Sequence, residues 1–353
     1  MADQHVLVEQ LVKTYPDSAV PSVDHVDFAL STGEMLALLG PSGCGKTTIL
    51  RMVAGLVEPT AGRILLEGRD MARIPVHRRN MGMVFQAYAL FPHMNVAQNV
   101  AFGLEMRGVP KAERAGRVRR ALDLVKLGEY GERRINQLSG GQQQRCAIAR
   151  SLVIEPDLLL LDEPLSNLDA KLRDEMRAEI RDIQRRTGVT AIFVTHDQDE
   201  ALSMADRVAV MSAGKIEQIG TPRDIFDRPA TEFVANFIGA GNFLSGRVTA
   251  PNTAEVAGLG TIRFEGKAVP GSTVRLMVRP HRFTLGGAGA NRFEGKVTNL
   301  VYRGEILSAT VVVADKSLVI DIPTHAGGLP GLGDTIAIAV APEDVTFIGE
   351  AAA

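Results

Sequence analysis

Gly40-Pro41-Ser42-Gly43-Cys44-Gly45-Lys46-Thr47 matches the pattern G-x-x-x-x-G-K-[ST] with no mismatch. It is preceded by the apolar run Glu34–Leu39, which predicts a buried strand. The segment from Thr48 predicts a helix closed by Gly55. Strand, glycine-rich loop and helix are the context such a loop needs. The glycines admit backbone conformations that a side chain would block. The loop amides and the helix N-terminus then surround a phosphate. Lys46 is placed to reach the β- and γ-phosphates of a triphosphate, and Thr47 to offer a hydroxyl to Mg²⁺. Thr48 adds an outer phosphate contact.

Leu158–Glu163 runs four leucines into two acids. That is the pattern of a central parallel strand ending at a site. Asp162 is expected in the Mg²⁺ shell, and Glu163, one residue nearer the crevice, as the general base toward water. Ser139-Gly140-Gly141 precedes a helical pattern from Gln142 and forms a second anion cradle. One chain thus carries two phosphate-binding ends.

These motifs resemble the ATPase subunit of ATP-binding cassette (ABC) transporters. Gly40–Thr47 is similar to Walker A, Asp162–Glu163 to Walker B, and Ser139–Gln142 to the ABC signature. Ser166–Asp169 resembles the D-loop, His196 the switch histidine, Gln86 the Q-loop residue and Tyr15 the adenine-stacking aromatic. The order is the family's, and the likeness is strong from Val6 to about Ile238. The resemblance implies an α/β fold: a P-loop NTPase cassette over 1–238, with a helical subdomain at about 90–155. A small all-β, OB-like transport-associated (TOBE) domain over 239–353 is implied to follow.

It further implies a nucleotide site of Tyr15, Gly40, Pro41, Ser42, Gly43, Cys44, Gly45, Lys46, Thr47, Thr48, Gln86 and Asp162. A second copy would complete it with Ser139, Gly140, Gly141, Gln142 and Asp169. Thr47, Gln86 and Asp162 would hold Mg²⁺. Glu163, His196, Gln86 and Lys46 would carry ATP hydrolysis. The implied partners are a second copy, two membrane permeases and, indirectly, an extracytoplasmic solute-binding protein, at the cytoplasmic face of the plasma membrane. The implied cargo is a polyamine or iron(III), with sugar or sulfate as the alternative.

Several of these residues also carry a direct reading. Tyr15 offers a π-face to a base. Gln86 can reach Mg²⁺ or the attacking water, and Phe85–Pro92 is unusually apolar for a loop, which suits a protein partner. His196 follows the apolar run Ala191–Val194 and so sits at a strand end, placed to bond a γ-phosphate. Asp197 and Glu200 have capping-box spacing, as do Asn95 and Gln98. After Asp169 a stripe of Leu172, Met176, Ile180 and Ile183 predicts a long helix to Gly188.

Among 353 residues, 45% are hydrophobic and 23% charged, an ordinary globular balance. No apolar run is long enough to span a bilayer, and the start shows no secretory pattern. Cys44 and Cys146 suggest neither a disulfide framework nor a metal site. Cys44, beside a cationic helix start, is expected to be more reactive than an ordinary thiol. Net charge is −2, and no basic footprint marks nucleic acid as a partner. A soluble ABC ATPase acting on nucleic acid or ribosomes is the competing class. Arg114–Arg120 is expected on a solvated face of a helix stopped by Gly128.

From Leu244 onward, short β-like runs alternate with Gly and Pro. They predict one small OB-like barrel that could be built from two repeats. Asn242–Phe243 and Arg279–Pro280 resemble the TOBE domain, with His281 where the family often shows Glu.

Overall fold

The computed structural model describes residues 4–266, 268–287, 289–325 and 327–350. The outer limits of the two expected domains, residues 1 and 353, lie outside the described residues. The chain divides into two compact units, 1–222 and 223–353.

The first unit opens with β1 (Gln4–Lys13) and β2 (Val23–Ser31), paired antiparallel. β2 alternates buried and outward residues, as a half-covered strand must. β3 (Met35–Leu39) is buried at all five positions and feeds α1 (Lys46–Ala54) through the glycine-rich loop. Gly55 ends α1 in the left-handed conformation. β4 (Ala61–Leu66) and β5 (Arg69–Asp70) complete a four-stranded sheet of order β2-β1-β4-β5. β6 (Met81–Val84) follows.

Next come α2 (Val96–Met106), α3 (Lys111–Leu124) and α4 (Gly140–Leu152). Asn95 caps α2 in a full capping box with Gln98. β7 (Leu158–Asp162), α5 (Ala170–Thr187), β8 (Thr190–Thr195), α6 (Gln198–Met204), β9 (Arg207–Ser212) and β10 (Lys215–Gly220) finish the unit. The second sheet runs β10-β9-β3-β8-β7-β6, with β3, β6, β7, β8 and β9 parallel. Leu36, Leu38, Ile49, Leu50, Leu158, Leu160, Ile192 and Val194 are buried in one core with Val6, Leu11 and Phe28 of the first sheet. Each such side chain contributes about 1.5–3 kcal/mol through burial.

Two local expectations are corrected. α3 ends at Leu124, and Gly128 opens a short 3₁₀ turn instead of stopping the helix. Nor is the basic run simply a solvated face. Arg114 pairs with Glu105, and Arg117 reaches Glu113, Glu155 and the Val153 carbonyl. A guanidinium on a long stem can lie along apolar surface while its head finds partners.

Among the described residues the second unit contains α7 (Pro222–Asp227) from Arg223 on, α8 (Glu232–Phe237) and ten strands. The strands are β11 (Asn242–Ala250), β12 (Thr253–Val256), β13 (Gly260–Arg263), β14 (Thr273–Val278), β15 (Thr284–Leu285), β16 (Asn291–Tyr302), β17 (Ile306–Val313), β18 (Lys316–Pro323), β19 (Thr335–Val340) and β20 (Val345–Glu350). They form two antiparallel sheets, β13-β12-β11-β14-β20 and β15-β19-β16-β17-β18, around one shared core. Arg279 explains why α7 and α8 belong to this unit and not to the first. Its buried guanidinium donates to the carbonyls of Phe226, Ala235, Gly239 and Ala240.

The two sheets repeat one design. Asn242, Gly246, Val248 and Thr249 in β11 recur as Asn291, Gly295, Val297 and Thr298 in β16. β15 follows β14 in the chain yet pairs with β19; β20 follows β19 yet pairs with β14. Each half therefore lends one strand to the other. The buried Asn242 amide bonds both backbone groups of Val319 in β18, and buried Asn291 does the same to Arg263 in β13.

Candidate functional site

The phosphate loop is held by its own lysine. Lys46 is only 5% exposed, and its Nζ donates to the carbonyls of Gly40 at 2.7 Å and Pro41 at 2.9 Å. A methyl group at Gly45, whose φ is 103°, would lie 2.3 Å from the Ser22 carbonyl. One at Gly40 would lie 2.4 Å from the Met211 carbonyl. Close backbone approach thus requires glycine at both positions. Gly45 caps α1 with no side chain, so the first-turn N–H groups remain open to an anion. An uncapped helix start beside a buried lysine fits a polyphosphate.

Tyr15 follows β1, and its ring is partly exposed, with Lys13 Nζ 5.2 Å from the centroid. The segment after it is closed by a hydrogen bond from Ser22 N to the Lys13 carbonyl. Ser22 is the residue that lies against Gly45. The aromatic thus sits on a loop anchored to the phosphate cradle.

Parallel register gathers the next residues. Val84 pairs with Leu161, and Asp162 with Val194. Gln86, Glu163 and His196 therefore emerge together at the C-terminal edge of the sheet, where open α/β folds place ligands. Gln86 Nε2 donates to Glu163 Oε2 at 3.2 Å. His196 Nδ1 lies 3.4 Å from the same oxygen. Beside them, Thr47 Oγ1 donates to Asp162 Oδ1 at 3.4 Å, and Arg51 approaches the other oxygen at 4.0 Å. Burial holds the Asp162 carboxyl above the usual carboxylate range, Arg51 and Thr47 oppose that rise, and Glu163 adds to it. A buried hydroxyl–carboxylate pair of this kind suits a hard dication such as Mg²⁺.

Glu163 has φ 45°, left-handed for a residue with a side chain. Such a conformation costs about 1–3 kcal/mol and persists only where neighbours fix it. Here its N–H donates to the Val194 carbonyl and its own carbonyl accepts from Ser166 Oγ.

Ser139 and Gly140 are exposed. Ser139 forms a capping box with Gln142 at the start of α4. A methyl at Gly141 would lie 3.1 Å from Leu172 of α5. Asp169 caps α5 by accepting from Leu172 N. Among the described residues no hydrogen bond or ion pair joins Ser139–Gln142 to Gly40–Thr48.

Two sequence expectations give way. Cys44 is buried, and burial pushes its thiol pKa up against the opposing pull of Lys46. This environment runs against the expected reactivity: desolvation outweighs the nearby cation. Cys146 is pushed up to about 12, again by burial. Asp197 does cap α6, yet Glu200 completes no capping box. Its carboxylate is buried and accepts from Thr195 Oγ1 at 2.6 Å, while Thr195 also accepts from Asp197 N.

The structure adds residues with no local sequence signal. Asn167 Nδ2 donates to the Gln86 carbonyl at 2.6 Å. Arg150 grips the Tyr88 and Ala89 carbonyls. Buried Asn99 bonds both the N–H and the carbonyl of Phe91.

Comparison with known proteins agrees with this geometry. Residues 23–166 match the ABC transporter family and 276–348 the TOBE domain. The spermidine/putrescine import ATP-binding protein PotA of Thermobifida fusca is 46% identical over 356 residues, covering 96% of this chain and 92% of its own. This chain belongs to the ABC transporter ATP-binding proteins. It is an ATPase of that family, and a nucleotide is its ligand. The Fe(3+) ions import ATP-binding protein FbpC 1 of Rhizobium meliloti is also 46% identical, over 86% of this chain and 87% of its own. Among solved structures, cbiO1 from Clostridium perfringens, part of the ABC transporter complex cbiONQ, aligns with TM-score 0.59 and 33% identity. That alignment covers 63% of this chain and 90% of cbiO1. An ATP-binding cassette solved as a post-hydrolysis dimer with ADP and Pi aligns with TM-score 0.55 and 29% identity, over 62% of this chain and 99% of that one. No helix among the described residues is long and apolar enough to cross a membrane.

Proposed function

We propose that this chain is the ATP-hydrolysing subunit of an importer, working as a homodimer beneath two membrane permeases at the cytoplasmic face. The observation that carries the reading is the shared oxygen. Glu163 Oε2 is held by Gln86 Nε2 and faces His196, one residue beyond the Thr47–Asp162 pair. Glu163 takes the proton of the attacking water. Gln86 and His196 orient that water, and His196 bonds the γ-phosphate. Lys46 leaves the Gly40 and Pro41 carbonyls for the β- and γ-phosphates. Thr47, Asp162 and Gln86 would hold Mg²⁺, which supplies neutralisation of phosphate charge when bound. Tyr15 stacks on the base.

Ser139, Gly140, Gly141 and Gln142 of one copy close over the nucleotide of the other, with Asp169 and Ser166 between the two sites. A two-fold arrangement makes two equal sites. The second unit serves regulation or dimer stability. The cargo is a polyamine or iron(III), which the names of the similar importers support.

Co-purification with two hydrophobic membrane subunits, followed by ATP-driven uptake of labelled spermidine or iron(III) into vesicles, tests this reading. ATPase stimulation by DNA or RNA, without any membrane partner, would overturn it in favour of a soluble ABC ATPase.

A further inference from the structure

We propose that Arg150 is a positioning residue that couples the signature helix to Gln86. The observation is a strained turn held from outside. Tyr88 and Ala89 are consecutive non-glycine residues with φ 61° and 51°. Left-handed residues in succession are rare because each Cβ crowds its own backbone. No glycine relieves the turn, so something must hold it. Arg150 does so, donating from Nη2 to the Tyr88 carbonyl at 2.9 Å and from Nη1 to the Ala89 carbonyl at 2.7 Å. Its guanidinium also lies 5.6 Å from the Phe91 ring centroid. The planar fork of arginine spans two adjacent carbonyls, whereas a lysine ammonium is a single point of charge.

The position of Arg150 gives the grip its purpose. It lies in the last turn of α4, whose first residues follow Ser139. The gripped turn begins two residues after Gln86. At its near end Asn167 holds the Gln86 carbonyl, and at its far end Asn99 holds Phe91. A rigid helix therefore connects the anion cradle offered to the second copy with the turn that sets the Gln86 side chain. When α4 moves, the fork carries Tyr88–Ala89 with it, and Gln86 moves relative to Glu163. Arg150 touches neither nucleotide nor water in this scheme. The inference rests on the role given to Gln86 above.

The test uses the full-length chain with Arg150→Lys and Arg150→Ala. Turnover is measured against ATP concentration, and amide hydrogen exchange is followed across residues 85–92. A misplaced catalytic group costs rate more than binding, so kcat should fall about tenfold to a hundredfold with KM for ATP little changed. Exchange should rise across the turn. Adding Ala89→Gly to Arg150→Lys should restore much of the lost turnover, because glycine holds a positive φ without a grip. A merely structural role of Arg150 in α4 would not respond to a glycine on another segment. Unchanged exchange, no rescue by glycine, or a KM rise with kcat intact would each overturn the proposal. Gln86→Ala, assayed in parallel, separates the two readings. If it turns over normally, the role of Gln86 fails, while the rise in exchange across residues 85–92 in the Arg150 variants still reports on the grip.

Discussion

Gln86 and Glu163 lie 77 residues apart in the chain, yet they share a 3.2 Å hydrogen bond at the edge of the parallel sheet. The bond pins the carboxylate of a backbone-strained residue. Replacing Glu163 with Gln keeps the shape and removes the basicity. Turnover should fall by 10²- to 10⁴-fold, the range for loss of a general base, while nucleotide affinity is retained. A phosphate-release assay with equilibrium nucleotide binding checks both. Normal turnover in Glu163→Gln would contradict the assignment of the base.

Asp162 should carry a stability cost. Burial raises its folded-state pKa above the ordinary carboxylate value, so the ionised form is disfavoured in the fold. The cost is present in full above the folded pKa. It fades as pH falls through that value and is absent below the unfolded one. Without metal, Asp162→Asn should therefore melt higher than the native chain at neutral pH, and the gap should close toward about pH 4. The same variant should lose magnesium-dependent hydrolysis. Thermal melts across pH, with and without Mg·ATP, measure both effects.

Cys44 and Cys146 should alkylate slowly at neutral pH, since both thiols are buried and shifted upward. Iodoacetamide labelling followed by peptide mass mapping reports each site. Fast labelling of Cys44 that ATP blocks would show an open, activated thiol instead.

Asn242 and Asn291 make equivalent paired bonds, each to an edge strand of the opposite sheet. Removing either amide leaves a part-buried backbone N–H and carbonyl without their side-chain partner. Asn242→Ala and Asn291→Ala should each cost about 1–3 kcal/mol, read by denaturant melts. Hydrogen exchange should localise the loss to β18 for the first and β13 for the second.

The phosphate loop was legible because strand, loop and helix are contiguous. Glu163 and His196 were legible for a different reason: each ends an apolar run, and parallel strands bring their ends to one edge; Gln86 was singled out by its resemblance to the Q-loop residue. Arg150 and Asn167 left no such trace. Their partners lie 61 and 81 residues away, and a lone Arg or Asn on a helix or loop has no periodicity to betray a distant carbonyl. Arg117 misleads for a related reason, since a basic run looks solvated until Glu155 and Val153 arrive from elsewhere in the chain. Glu200 has capping spacing, yet Thr195 at the strand end competes for its carboxylate and wins. In the second unit, β12, β13, β15 and β20 do not stand out in the sequence because they are short or broken by glycine. The repeat of Asn242–Thr249 in Asn291–Thr298 was in plain view, but the exchange of β15 and β20 between halves is a pairing choice that no single strand encodes.

Turnover per chain, measured against chain concentration with light scattering on the same samples, bears most directly on the claim that two copies share each reaction centre. The rate per chain should climb with concentration and level off as the scattering mass doubles. A strictly monomeric sample hydrolysing ATP at the same full rate per chain would contradict it.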